Sequence, residues 1–408
     1  MQRWQVIRYG FLGLPLAFGA LPIYLFVPDL YARSGLLGLS AIGAVLVLTR
    51  LIDAFADPFF GWLIDRSSRK AALYLALVPF AAGFYGLFNP GAYVGVATAA
   101  WLFLSLAACT MGFSAVMIAY QAWGGDLGAD TAERLSLTGS REAFILGGVV
   151  IASVSPSMIA ADPMEGLRHL PWLLFVFLGI ALLALRHLPS GQTKSQHDSL
   201  PSRLKLVWCD LEFRRLLYVF FANGIASAFP ATLFVFYVTD VLQAQAKTGI
   251  LLGAYFLSAA LAVPLWVRCA QRIGRPRTWV LAMLLAICAF LGAAFLGSGD
   301  WLWFLLICLI SGAAVGTDLT IPASIVADIG EMRGGAGTYF GVWNLVAKLN
   351  LALAAGIALP LLAVRGYVPG AGVHNGVLIA AYVLLPIVLK GVAVLLLYRW
   401  RKTLSLAA

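Results

Sequence analysis

The chain has 408 residues, of which 62% are apolar and 11% charged. A soluble domain of this length carries roughly 25% charge, and a mean hydropathy of +0.91 excludes one here: most of this surface is solvated by lipid. The net charge of +10 would in amount suit a nucleic-acid partner, but its placement along the chain excludes that reading.

A helix needs about 20 mainly apolar residues to cross a bilayer. By that rule the sequence predicts twelve spans, at about 9–27, 36–62, 71–92, 94–123, 143–161, 167–186, 216–241, 249–267, 279–297, 301–328, 338–364 and 377–399. The first follows "MQRWQVIRYG" and is longer than the ~7–15 residues of a signal-peptide core, so it reads as a span. No lipid-spanning alternation of period two is present, which excludes a β-barrel. With both termini in the cytoplasm, the outer side holds only Arg33, Arg168, Lys247 and Arg365 of the 28 Lys and Arg. Arg50, Lys348 and Lys390 lie inside spans. The positive-inside rule fixes that orientation and accounts for the basic charge without nucleic acid.

The longest polar stretch, 190–215, is rich in Ser, Gln and charge and separates spans six and seven. It reads as a cytoplasmic central loop between an N-terminal half, 1–189, and a C-terminal half, 216–408. Each half carries a basic loop after its second span, "DRSSRK" at 65–70 and "QRIGRPRT" at 271–278, a weak internal repeat. Facing halves with a site near the midplane are a common plan of secondary transporters. The five cysteines form no CxxC and read as small buried hydrophobes. The four histidines fall in loops or at helix ends. No nucleophile–base pair or metal cluster emerges, so an enzyme is not expected, nor a cofactor other than a coupling ion.

An ionisable group at the bilayer centre costs ~2.5–3.5 kcal/mol on insertion scales and is a functional candidate. Asp53 and Asp57 in "RLIDAFADPFF" are four residues apart and share a helix face, with Arg50 one turn earlier. Two carboxylates this close in a desolvated site need a proton, a cation or Arg50 as counter-charge. They can hold a proton or a small hard cation such as Na⁺; the plainer reading is a network that only fixes packing. Pro58 removes a backbone donor and leaves a carbonyl as a further oxygen. Asp318 and Lys348 sit at comparable depth in spans ten and eleven. They either pair with each other, or Lys348 faces the central path and engages an anionic group. Asn344 lies one turn before Lys348 on the same face, with Trp343 and Tyr339 nearby. Lys390, placed near the end of span twelve, reads as snorkelling.

The stretch "GWLIDRSSRK" at 61–70 resembles the loop between the second and third helices of the major facilitator superfamily. "RLIDAFADPFFGWLIDR", "YQAWGGDLGADTAERLSLTGSRE" and "PASIVADIGEMRGGAGTYFGVWNLVAKL" are similar to signatures of its glycoside–pentoside–hexuronide:cation symporters, the melibiose permease family. The resemblance implies a twelve-helix all-α fold and alternating access, with Asp65, Arg66, Arg69 and Lys70 as a cytoplasmic latch and Gly61 permitting close approach. It implies a cation site of Asp53, Asp57 and Ser114, and places Lys348 near both cation and substrate; Asn344, Trp343, Tyr120 and Asp318 are the further candidate substrate residues. Ala56 stands where Na⁺-using members often have Asn, which leaves H⁺ as well as Na⁺. Met117 replaces a galactoside-binding Asp, and the first span has no acid, so a different substrate is expected.

The expectation is therefore a monomeric carrier in a bacterial-type inner membrane, moving a small organic solute such as a sugar or glycoside with Na⁺ or H⁺. A lysophospholipid or other amphiphile as substrate, and proton-driven efflux, are the alternatives.

Overall fold

The computed structural model describes residues 3–27, 30–31, 37, 39–91, 96–159, 163–190, 199–367 and 375–406. The described residues are helical with short connections. In chain order the helices are α1 (Arg3–Gly10), α2 (Gly13–Leu25), α3 (Leu39–Asp65), α4 (Arg69–Phe88), α5 (Val96–Leu127), α6 (Thr131–Ile159), α7 (Pro163–Leu185), α8 (Leu200–Cys209), α9 (Leu211–Phe236), α10 (Thr248–Ile273), α11 (Arg275–Ala293), α12 (Trp301–Arg333), α13 (Ala336–Val364) and α14 (Asn375–Leu406). A turn at Phe11 and Leu12 joins α1 to α2 as one bent rod, and α9 ends in a π-helical turn, Tyr237–Val241. With α8 set aside as too short, these are the twelve predicted spans. Among the described residues ten segments are long and apolar enough to cross a membrane. The two remaining rods, α3 and α13, are those that carry Asp53, Asp57 and Lys348.

Three features depart from the sequence reading. Within the stretch taken as loop, α8 forms with Pro201 in its first turn, where a missing N–H is harmless. It buries Arg203 and Val207. Asp210 then ends α8 and starts α9, its side chain accepting the N–H groups of Glu212 and Phe213 as an N-cap. Second, α14 continues through the basic end of the chain to Leu406, so Lys390 lies at mid-helix and is 1% exposed. Third, only Cys109 and Cys308 are buried among the cysteines; Cys209 and Cys288 sit on outward helix faces. His197 and His374 lie outside the described residues.

The chain divides into two compact units. One comprises Met1–Val207 with Val326–Leu345, so the turn between α12 and α13 belongs to it. The other comprises Trp208–Ile325 with Val346–Ala408. In the first unit α4 and α5 approach so closely that a Cβ on Gly83 would strike the backbone of Ser105 and Cys109. The second unit is centred on an aromatic cluster in which Tyr237 stacks on Tyr382 at 4.3 Å and on Phe304 at 5.1 Å between ring centroids.

A candidate cation site joined to a helix clasp

In α3 the buried stripe recurs every four residues, the spacing that keeps side chains on one helix face. It runs Thr49, Asp53, Asp57, Gly61 and Asp65, while Phe55, Phe59 and Leu63 face outward. Asp57 is fully buried and Asp53 is 6% exposed. Ser114 on α5, also buried, donates its hydroxyl to Asp53 Oδ1 at 2.6 Å. The expected trio thus stands on two adjacent helices, with two carboxylates and a hydroxyl as oxygen donors. Such a set suits a proton or a hard cation. Arg50 is exposed, at the margin of the stripe.

The same stripe continues into the clasp. Asp65 accepts hydrogen bonds from the N–H of Gly337 and of Thr338, both at 2.8 Å, and from the Thr338 hydroxyl at 2.6 Å. It therefore caps the N-terminus of α13, where orphan N–H groups and the helix dipole favour an anion. One turn back, a Cβ on Gly61 would fall on the Gly337 carbonyl, and a further turn back a Cβ on Gly341 would meet the Asp57 carbonyl. Gly337 and Gly341 let α13 lie directly on α3, the small-xxx-small contact of membrane helices. Arg69 closes the base of the clasp: Nη1 reaches Asp65 Oδ1 at 2.9 Å and the Ile64 carbonyl at 2.7 Å, and Nε reaches Asp126 at 3.1 Å.

Four residues that the sequence reading did not assign complete this arrangement. Besides Asp126 on α5, Arg134 on α6 bonds Asp328 at 2.9 Å and the Gly125 carbonyl at 3.0 Å. Arg203 on α8 donates to the Gly334 carbonyl. The signal for them was present as Asp and Arg beside glycine-rich turns in "WGGDLGADTAER" and "VADIGEMRGG", but their pairing is long-range. Of the four expected latch residues, Asp65 engages α13, and Arg69 braces Asp65 from α4 while bonding Asp126 on α5. Arg66 instead stacks over the Trp62 ring at 4.0 Å. Lys70 donates to the carbonyls of Arg186 and Leu188 at 3.0 and 3.1 Å, capping α7.

The expected substrate residues separate. Asn344 donates to Gln121 Oε1 at 3.2 Å, and Trp343 is buried beside it in sequence. Tyr120 is fully buried, its hydroxyl bonds the Tyr9 carbonyl, and the Tyr9 hydroxyl returns a bond to the Tyr120 carbonyl at 2.8 Å. This reciprocal pair holds α1 to α5. Of the two alternatives for Asp318 and Lys348, the mutual pair is not the contact Asp318 makes. In the second unit Asp318 Oδ2 is 3.1 Å from Lys390 Nζ, and its Oδ1 accepts the Trp279 indole N–H at 2.8 Å. Lys348 is half-buried on α13 in that unit. Lys390 is therefore a buried partner, not a snorkelling side chain.

In the first unit an apolar cavity of about 260 Å³ lies among α2, α5 and α6. Leu16, Leu21, Phe113, Met117 and Ile145 contribute to its wall.

Membrane-length helices with carboxylates buried along one of them, and a helix tip clasped by a basic turn, define a multi-pass membrane transporter. Residues 9–403 match the family described as MFS/sugar transport protein, and the chain belongs to that family, which takes in the melibiose permease-like cation symporters. The chain is 25% identical over 388 residues to the uncharacterized symporter YnaJ of Bacillus subtilis, covering 86% of this chain and 81% of that protein. It is 23% identical over 292 residues to the isoprimeverose transporter of Lactiplantibacillus pentosus, covering 67% and 60%. A crystal structure of the E. coli fucose:proton symporter FucP superposes with a TM-score of 0.72 at 16% identity, covering 97% of this chain and 98% of that one. That likeness shows the fold.

Proposed function

We propose that this transporter is a cation-coupled symporter for a small organic solute, working by alternating access. The observation that carries this is the continuity of the α3 stripe. Asp53 and Asp57, with Ser114, offer the oxygens for the coupling ion. Asp57, Gly61 and Asp65 on the same face touch or cap α13. A cation that neutralises the carboxylate pair changes the stability of this stripe in one conformation more than in the other. Coupling requires that differential effect. Arg50 serves as the local counter-charge when the site is empty. Lys348, Asn344 and Trp343 are the residues proposed to meet the solute.

The Lys and Arg asymmetry supports an inner-membrane placement with both termini and the α3–α4 turn in the cytoplasm. The clasp is then a cytoplasmic gate, closed when Asp65 caps α13. The relatives named as a symporter and an isoprimeverose transporter support a sugar or glycoside as the solute. The apolar cavity favours a second reading, an amphiphile whose hydrocarbon part lies against Phe113 and Met117.

A thermal-shift screen of purified protein tests both. Sugars, uronates and lysophospholipids are each added with and without Na⁺ at two pH values. A ligand at 100-fold its Kd adds ~2.7 kcal/mol. Stabilisation by a sugar that Na⁺ or low pH strengthens supports the symporter. A response to lysolipids alone moves the substrate to the amphiphile. Flux in proteoliposomes that ignores both cation gradients sinks cation coupling.

A further inference from the structure

Between α4 and α7, both in the first unit, lies a groove of about 850 Å³. Leu178, Leu182 and Arg186 line it from the α7 side, each four residues after the last and so on one helix face. Tyr74, Leu77 and Ala81 line it from α4 with the spacing of one face. The groove is open beside Gly179, which is exposed and where an added Cβ would meet nothing.

The two ends differ. Arg186 is the one charged residue among the described residues of the wall. Its N–H bonds the Leu182 carbonyl at 3.1 Å, so it extends the last turn of α7. Its Nε donates to His187 Nε2 at 2.9 Å, and among the described residues its Nη groups have no partner. Lys70 Nζ is fixed at the same end, 3.0 Å from the Arg186 carbonyl and 3.1 Å from that of Leu188. Among the described residues neither cation is paired with a carboxylate, and Asp65 and Asp126 on the neighbouring helices are held by Arg69. At the other end rings bridge the two helices one turn past the groove. Tyr85 stacks with Phe175 at 6.4 Å and meets Trp172 edge-on at 6.0 Å between centroids.

We propose that this groove binds an anionic phospholipid, with its phosphodiester on Arg186 and Lys70 and an acyl chain lying between α4 and α7. Seven residues lead from Gly179 to Arg186, a rise of ~10 Å along the helix. That fits within the ~15 Å of one leaflet of a ~30 Å hydrocarbon core. The apolar walls suit hydrocarbon and offer nothing to the rest of a free phosphate, a nucleotide or a sugar. The planar fork of Arg186 matches a phosphate bidentately, and Lys70 adds a point charge. A lone arginine at a helix end would only snorkel. Here it stands over a recessed groove, beside a second cation that also lacks a counter-charge, and basic pockets between membrane helices favour anionic headgroups. With the α3–α4 turn in the cytoplasm, as proposed above, the lipid belongs to the inner leaflet. The binding itself does not depend on the direction or the coupling of transport.

The test is native mass spectrometry of the full chain in detergent, with equal amounts of phosphatidylglycerol and phosphatidylcholine of the same acyl chains. Wild type should retain phosphatidylglycerol about tenfold or more over phosphatidylcholine, the scale set by two cations at a membrane surface. Arg186→Gln, at an exposed position, should bring that ratio close to one. Gly179→Trp fills the groove and should lower retention of phosphatidylglycerol, whereas Gly253→Trp, equally open but in the second unit, should not. A phosphatidylglycerol with a diazirine in its acyl chain needs no variant, and on wild type it should label peptides of α4 and α7. A ratio near one in wild type, or a preference that survives Arg186→Gln, would overturn the site. So would displacement of the lipid by inorganic phosphate alone, which would mean that the hydrocarbon is not held. Labelling of α2, α5 and α6 instead would place the lipid in the cavity beside Met117 and overturn the groove, leaving the amphiphile reading of transport standing.

Discussion

Thr338 gives Asp65 two hydrogen bonds, one from its N–H at 2.8 Å and one from its hydroxyl at 2.6 Å, so a single carboxylate on α3 fixes the first turn of α13. Replacing Asp65 with Ala removes the cap and leaves Arg69 without its 2.9 Å carboxylate partner. Loss of a helix cap costs ~1 kcal/mol, and loss of a charge-assisted bond adds a similar amount. The fraction of molecules with the clasp open should rise about tenfold or more for that energy. Alkylation of a cysteine placed at the buried Ala336 reads this directly, and an unchanged rate in Asp65→Ala would remove the clasp from the gating scheme.

Glycine at 61 is required by contact rather than by backbone angle. A Cβ there would fall on the Gly337 carbonyl, which belongs to a helix backbone and cannot step aside. Gly61→Ala should force α3 and α13 apart and raise the same alkylation rate, although every hydrogen-bonding group of the clasp is still present. Gly43, around which a Cβ meets nothing, is the matched control, and Gly43→Ala should leave the rate unchanged.

These two positions show what could be read from the chain alone. The rods were legible because apolar length is a local property. So were Asp53 and Asp57, because an i, i+4 pattern puts them on one face whatever packs there; Asp65 is reached only through the resemblance of its motif to a family loop. The partners were not, because they come from distant parts of the chain. Asp318 meets Lys390 across 72 residues of sequence. Lys390 departs for a further reason: the apolar run predicts a last helix that stops near 399, yet it runs on to Leu406 and carries the lysine to mid-helix. Tyr120 lies in a family-like segment, and the segment does not say which face turns inward. Only the Tyr9 contact shows that its hydroxyl is already used.

The buried pair makes a non-additive prediction for stability. Lys390→Met leaves Asp318 ionised in a dry site, and Asp318→Asn leaves the ammonium there. Each single change should cost ~3–5 kcal/mol, as removal of one partner of a buried pair does. The double variant should regain most of that loss, because neither charge remains. Thermal melts of the four proteins in one detergent give the coupling energy. Additive losses would mean that the two side chains do not interact as the 3.1 Å contact indicates.

If an amphiphile is carried, the wall at Phe113 and Met117 holds its hydrocarbon part. Met117→Asp would put a carboxylate into that apolar cavity, and an unpaired charge there should reduce lysolipid-induced stabilisation to near zero. Sugar-induced stabilisation, if that is the response of wild type, should survive the change. A lysolipid response that Met117→Asp leaves intact would show that the chain binds elsewhere.

The sharpest test of coupling is Asp57→Asn. The amide nearly matches the carboxylate in shape, so α3 packing against Gly341 should hold and the protein should fold. What is lost is the charge that a coupling ion would neutralise. Cation-dependent stabilisation should disappear, and in proteoliposomes the variant should exchange solute across the membrane without accumulating it. Equilibrating flux with no accumulation would separate solute passage from ion coupling at this one position. Accumulation against a gradient at the wild-type level would exclude Asp57 as a ligand of the driving ion.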